Sequence, residues 1–162
     1  MLRHAGCSEA VVAHCIAVSE VATRMAKRLG ATVSLVQTGA LLHDIGRSRS
    51  HAIDHAVVGA EVAAELGLPE AVVLIIERHI GAGIAKDQAA RLGLPVRDYV
   101  PETLEEKIVA HADNLIAGGK RVTLQETVAD LTRRGLTEVA AGVMRLHAEL
   151  STMAGVDVDR IV

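Results

Sequence analysis

The sequence predicts an all-α fold, and three observations lead to it. Apolar residues recur at steps of three and four along most of the chain, and no segment alternates apolar and polar residues as a half-buried strand would. The 162 residues include no Trp, no Phe and one Tyr, so the core is built from Ala, Val, Leu, Ile and Met, which suit closely packed helices. The expected form is an irregular bundle of about six or seven helices.

The first helix is expected to run from a Ser8 cap to Gly30, with Val11, Cys15, Val18, Ala22, Met25 and Leu29 on its inner stripe. A second runs from Thr32 to about Asp44. A third spans Asp54 to Leu66, with Gly67 at its end, and a fourth starts at Pro69, as its first helical residue, and reaches about Ile80. Gly81 to Pro101 is rich in turn formers (Gly81, Gly83, Gly93, Pro95, Pro101) and reads as a surface excursion within one domain. Thr103 with Glu106, and Thr123 with Glu126, have capping-box spacing and open helices that end near Gly118 and Gly135. The last helix, near Thr137 to Ala154, carries Val139, Val143, Leu146, Leu150 and Met153 on one face. The length predicts a single domain over 1–162, its motifs in 8–118 and a C-terminal helical extension in 123–154.

Charge and composition narrow the function. Seventeen Lys and Arg against twenty Asp and Glu give a net charge of −3, without the basic excess that drives phosphate-backbone binding. The near absence of aromatics removes the stacking surface that single-strand readers use. Dedicated nucleic-acid binding is therefore not expected. The longest uncharged run, Leu29 to Leu42, falls short of the roughly 18 to 20 residues of a membrane span, and the N-terminus, bracketed by His4 and Glu9, lacks a signal peptide. A cytoplasmic location follows as the expectation, with Cys7 and Cys15 as free thiols.

Eight histidines are many for this length. His14 points at or near the inner stripe of the first helix. His43 and Asp44 stand side by side where the apolar run Gly39-Ala40-Leu41-Leu42 stops before Ile45-Gly46, and His79 shares a helix face with Val72, Ile75 and Ile76. Asp113 has Val109, Ala110, Ile116 and Ala117 at three and four positions, with no Arg or Lys within a turn. A buried carboxylate is paired, protonated or on a metal. His111, two residues from Asp113, points to the other side of that helix. A lone buried histidine is more often a satisfied core residue, and a His-Asp pair can be a helix-end hydrogen bond. Taken together, carboxylates and imidazoles on apolar faces form the oxygen and nitrogen donor set of Fe, Mn, Co or Zn.

In these residues the sequence resembles the HD-domain metal-dependent phosphohydrolases, in the branch with the H-D-I-G signature. His14-Cys-Ile-Ala-Val-Ser-Glu-Val-Ala resembles the family's first-helix histidine segment, Gly-Ala-Leu-Leu-His43-Asp44-Ile-Gly its signature, and Ala-Asp113-Asn-Leu its terminal aspartate segment. The resemblance spans His14 to about Ile116 and implies an HD-type bundle. His55, which opens the helix after the signature, and His79 match the family's binuclear members. The implied ligand set is His14, His43, Asp44, His55, His79 and Asp113. Asp44 would bridge two divalent transition metals, Fe or Mn before Co, Ni or Zn. One is also held by His14, His43 and Asp113, the other by His55 and His79, and a water or hydroxide between them is the implied nucleophile. Two such cations clamp the attacking and leaving oxygens of a phosphoryl displacement.

Asp44, His43 and His79 are thus the expected catalytic residues. Arg47 is the first choice for a phosphate clamp and Arg78 the second. His4, His51, His111 and His147 are assigned to structure or surface, although His51 and His55 have the i, i+4 spacing of paired helical ligands. The expected activity is metal-dependent hydrolysis of a phosphodiester, or of a phosphoanhydride, in a small nucleotide-like or cyclic phosphate. His79-Ile80 followed by Gly81-Ala82-Gly83 departs from the paired histidines and G-Y-P segment of the cyclic dinucleotide branch. The alternative is a non-catalytic binding or regulatory module stapled by metal. Oligomeric state stays open, with a homodimer allowed.

Overall fold

The computed structural model describes residues 1–161, and its regular structure is helical apart from one small hairpin and two isolated bridges. The described α-helices are α1 (Leu2–Ala5), α2 (Glu9–Leu29), α3 (Val33–Leu42), α4 (His55–Glu65), α5 (Glu70–Glu77), α6 (Lys86–Arg91), α7 (Leu104–Asn114), α8 (Leu124–Arg133) and α9 (Thr137–Ala154). The all-α expectation holds, and the two helices beyond the six or seven foreseen are α1 and α6, too short to show a periodicity. Ile45–Ser48 and Val158–Arg160 are single 3-10 turns.

Helix α2 begins and ends as its sequence predicts. Ser8 accepts a hydrogen bond from Val11 N, and Gly30 closes the helix in a left-handed conformation (φ 73°) that a side chain would strain. It packs on α3 and α7, and α7 packs on α9. Val18, Ala22, Met25, Val36, Ile108, Leu115, Leu146 and Leu150 fill the space between them. A second cluster (Cys15, Leu42, Ile45, Val62, Ile76) joins α2, α3, α4 and α5, and Cys7 and Cys15 are buried free thiols.

Two helices stop earlier than their apolar patterns suggest, for one reason. Helix α3 ends at Leu42, not Asp44, and α5 at Glu77, not Ile80. In each case a histidine ring takes a backbone carbonyl: His43 Nδ1 donates to Ala40 O (2.8 Å) and His79 Nδ1 to Ile76 O (2.7 Å). Those are the carbonyls that the next turn would have used. Pro69 is the cap of α5 rather than its first residue.

Three further expectations are corrected. Residues 81–101 are not a plain surface excursion: α6 and an antiparallel bridge between Ile84 and Tyr99 bury Ile84, Ala89, Leu94 and Tyr99 against Val57. Helix α7 stops at Asn114 instead of near Gly118, and a hairpin of β1 (Ile116–Ala117) and β2 (Lys120–Arg121) turns at Gly118 and Gly119. The Thr123 capping box is complete, but at Thr103 only half forms, because Glu106 turns its carboxylate to Glu102 N and Arg78. No described helix is long and apolar enough to cross a membrane.

Candidate metal centre

Six side chains from five stretches of chain meet where α2, α3, α4, α5 and α7 converge. His14 comes from α2 and Asp113 from the end of α7. His43 caps α3, Asp44 opens the 3-10 turn, His55 opens α4, and His79 follows the end of α5. The turn is brought against α4 by Gly46, where a Cβ would stand 2.0 Å from His55 O and 2.5 Å from Gly59 N. Only glycine permits that approach, so the last residue of the signature sets the distance between Asp44 and His55.

Asp44 lies at the middle of the cluster. Its Oδ1 is 3.3 Å from His55 Nε2 and 3.7 Å from His79 Nε2, and its Oδ2 is 3.8 Å from His43 Nε2. On the far side Asp113 Oδ1 is 2.8 Å from His14 Nε2 and 3.5 Å from His43 Nε2. His43, His55, His79 and Asp44 are buried, whereas His14 and Asp113 have side chains 22% and 24% exposed and form the open edge. Asp113 is therefore less enclosed than its helix neighbours suggest, and its partner is an imidazole from α2.

The ring tautomers follow from the backbone. His43, His55 and His79 each present Nδ1 to the carbonyl three residues earlier, at 2.7 to 2.8 Å. A carbonyl only accepts, so each Nδ1 carries the proton and Nε2 of the neutral ring is a lone pair aimed into the cluster. His43 Nε2 is buried and has no hydrogen-bond partner. His55 Nε2 and His79 Nε2 face one another at 3.2 Å, beside Asp44 Oδ1. Acceptors packed this closely need a shared proton or a cation between them. The residues thus fit a metal: the sets His14, His43, Asp113 and His43, Asp44, His79 can each converge on one ion. Ring protons on backbone carbonyls are also how metal-ligating histidines are oriented.

The electrostatics agree. Burial works against ionising Asp44, but the His55 hydrogen bond and the charges of His43 and His79 hold it below the usual carboxylate range. Burial likewise opposes ionisation of Asp113, and His14 and His43 outweigh it. His43 is pushed the other way: burial disfavours its charge, yet Asp113 raises its pKa well above that of a free imidazole, so without metal a proton sits there. His79 is held down at about 4, by burial first and by repulsion from His43 second.

Other residues singled out from sequence fall in different places. Arg47 is in the cluster, its Nε donating to Asp44 Oδ1 at 3.1 Å. Arg78 is not free to clamp substrate: its guanidinium is taken by Glu106 (3.0 Å) and Glu102 (3.2 Å), because buried Glu106 needs a counter-charge. His4 and His51 are exposed. His111 and His147 are buried and paired (Nε2 to Nδ1, 3.1 Å), a contact across 36 positions that no sequence spacing signals. The His51 carbonyl, which holds Arg47 Nη1 at 3.1 Å, is a backbone contribution with no side-chain signature.

Comparison with known proteins is consistent with this geometry. An uncharacterised protein of Methanocaldococcus jannaschii is 58% identical over 79% of this chain and 79% of its own length. A tRNA (cytidine(56)-2'-O)-methyltransferase of Thermoplasma volcanium is 49% identical over 96% of this chain, which spans only 46% of that relative. Among solved structures, the HD domain of the L. monocytogenes phosphodiesterase PgpH in complex with cyclic-di-AMP has the same fold, with TM-score 0.55, 17% identity and coverage of 91% of this chain and 92% of that one. The HD domain family profile matches residues 11–118, the stretch that holds all six cluster residues, and the chain belongs to the HD domain family.

Proposed function

We propose that this chain is a metal-dependent phosphohydrolase that cleaves a phosphodiester or phosphoanhydride of a small nucleotide-like molecule. The observation that carries this reading is the shared carboxylate: Oδ1 of Asp44 faces His55 and His79, Oδ2 faces His43, and the Nε2 atoms of all three rings turn inward. Family membership in the HD domains supports hydrolytic chemistry, and the phosphodiesterase PgpH has the same fold. Divalent metals held by His14, His43, Asp44 and Asp113, and by Asp44, His55 and His79, would supply Lewis acidity and activate water there. Fe and Mn suit these oxygen and nitrogen donors, with Co, Ni and Zn next.

The chain's own residues do the rest. Nδ1 contacts to Ala40, Ala52 and Ile76 carbonyls hold three rings in one orientation, so no rotamer search precedes binding. Burial of His43, His55 and His79 closes the back of the site, and the exposed edge at His14 and Asp113 is where a phosphate can enter. Arg47, 29% exposed at its side chain, is placed to meet the phosphate oxygens with a planar fork. Tyr99 cannot stack on a base: it is 2% exposed and donates its hydroxyl to Pro95 O. That favours a phosphate-centred site and a small substrate.

The names of relatives favour a second reading, action on RNA: one 49% identical over 96% of this chain is named a tRNA methyltransferase, and one 32% identical over 91% of it, from Chloroflexus aurantiacus, a ribonuclease Y of which the chain spans 26%. The test is a panel of 2′,3′-cyclic nucleotides, cyclic and linear dinucleotides, dinucleoside polyphosphates and tRNA, each with Mn, Fe(II), Co, Ni or Zn added to chelated protein. Turnover of a small ester, abolished in Asp44→Asn, is expected. Turnover of tRNA alone moves the substrate to RNA, and no turnover at full metal occupancy leaves the metal-stapled, non-catalytic module.

A further inference from the structure

The two halves of the cluster differ in one charge. Asp113, His14 and His43 have no lysine or arginine paired with them among the described residues, and the one arginine on Asp44 donates to Oδ1 rather than Oδ2. Asp44 Oδ1, which faces His55 and His79, already carries Arg47 Nε at 3.1 Å. The same guanidinium is steadied from behind by His51 O.

We propose that Arg47 occupies, at Asp44 Oδ1, the position a second cation needs, so that the His14 half fills first and the His55/His79 half fills only when Arg47 leaves Asp44 for a phosphate. This rests on the metal-binding reading of the cluster above. A guanidinium does not lose its proton in proteins, so the conflict with an incoming divalent cation cannot be relieved by deprotonation. It is relieved by movement. Arg47 follows the signature on the 3-10 turn, and its guanidinium is held by one carboxylate oxygen and one carbonyl of an exposed residue. Its side chain is part exposed, so it has room to turn outward.

A phosphate supplies what the exchange requires. Its oxygens accept the arginine fork in a bidentate pair, which a single carboxylate oxygen does not offer, and its negative charge offsets that of a second cation. Meanwhile Arg47 does nothing for the His55 and His79 rings, whose Nε2 atoms still face one another at 3.2 Å. That half therefore keeps its donors aligned while its charge is already supplied. Second-metal binding and phosphate binding become mutually dependent: each strengthens the other by the same factor.

The test is equilibrium dialysis of the chelated full chain against Mn²⁺, read by elemental analysis and by the electron paramagnetic resonance signature of a coupled Mn pair, with and without inorganic phosphate. Wild-type protein is expected to take one Mn²⁺ tightly and a second at least tenfold more weakly, and phosphate should tighten only the second. In Arg47→Gln the second affinity should rise at least tenfold without phosphate, the first should change much less because Asp44 alone among its four ligands contacts Arg47, and phosphate should add little. Arg47→Lys, which keeps the charge, should retain the weak second site. Two equal sites in wild type, or an unchanged second affinity in Arg47→Gln, overturns the proposal while leaving a metal centre in place. No Mn²⁺ bound by either half overturns the metal reading itself.

Discussion

Each imidazole at the back of the cluster is fixed by a bond to its own backbone, which makes the inward direction of Nε2 in His43, His55 and His79 a property of the fold rather than of a bound ion. The carboxylates are the groups that substitution tests best. Asp113→Asn keeps the shape at the open edge but removes the charge facing His14 and His43, and should weaken the first cation by about a hundredfold. Calorimetric titration with Mn²⁺ checks this, and wild-type affinity in the variant would remove Asp113 from the centre. Asp44→Asn should disturb both halves, since each of its oxygens faces a different one. Base identity, by contrast, should matter little. Stacking is worth about 1 to 3 kcal/mol per base, and with Tyr99 buried and no Phe or Trp in the chain the site offers at most the small imidazole of His14. Adenosine, guanosine, cytidine and uridine forms of one active 2′,3′-cyclic phosphate should therefore differ by less than about a hundredfold in kcat/KM, equivalent to about 2.7 kcal/mol. A thousandfold preference would require a base pocket.

Among the helices, the closest approach that shapes the site is the 3-10 turn on α4. Gly46→Ala would drive a methyl into backbone atoms that no rotamer change can move, and should destabilise the chain by about 3 kcal/mol or more, with loss of metal affinity. Gly59→Ala meets the γ2 methyl of Ile76 at 2.9 Å and Gly46 N at 3.1 Å, smaller overlaps than those at Gly46, and should be milder. Urea unfolding of both variants measures the contrast, and a Gly46→Ala protein as stable as wild type would show that the turn does not depend on this contact. Much at this scale was legible in the sequence. The ends of α2 were, because Ser8 and Gly30 act through the local backbone. So were His14, His43, Asp44, His79 and Asp113 as candidates, because a polar residue on an apolar face is visible in one dimension, whereas His55 came only from the resemblance to the HD family. The early ends of α3 and α5 were not, since a histidine that bonds its own helix carbonyl looks in sequence like one that continues the helix. Nor was the use of Arg78, whose partner Glu106 lies 28 positions away. The buried role of Tyr99 depends on a bridge to Ile84 that no pattern announces.

Over the whole molecule, the buried imidazoles give stability a defined response to pH. His79 and His111 have folded pKa values of about 4 and about 3, each lowered first by burial and then by a neighbouring histidine, against about 6.5 when unfolded. Depressed histidines bind fewer protons folded than unfolded, so their contribution is present above about pH 6.5 and is lost on acidification, by about 1.4 kcal/mol per pH unit for each. Asp44 and Asp113, also depressed, add a further loss below about pH 4. His43 is raised, so in metal-free protein its contribution is complete below about pH 6.5 and is lost as pH climbs through its folded pKa. Chelated protein should therefore be most stable near pH 6 to 7, by urea unfolding across pH, and metal should remove the alkaline decline by replacing the His43 proton. A flat profile in chelated protein would contradict the buried, coupled cluster. At free metal one hundred times its Kd, linkage adds about 2.7 kcal/mol, or about 5 to 10 °C in Tm.

The measurement that most directly tests the central claim is the rate of 2′,3′-cyclic nucleotide hydrolysis by chelated protein as Mn²⁺ is returned in measured equivalents, beside Asp44→Asn treated identically. The account predicts no activity without metal, a rise that follows bound Mn²⁺ to saturation, and at least a thousandfold lower rate in Asp44→Asn, about 4 kcal/mol of lost transition-state stabilisation. Hydrolysis that is independent of metal, or unchanged in Asp44→Asn, would contradict it.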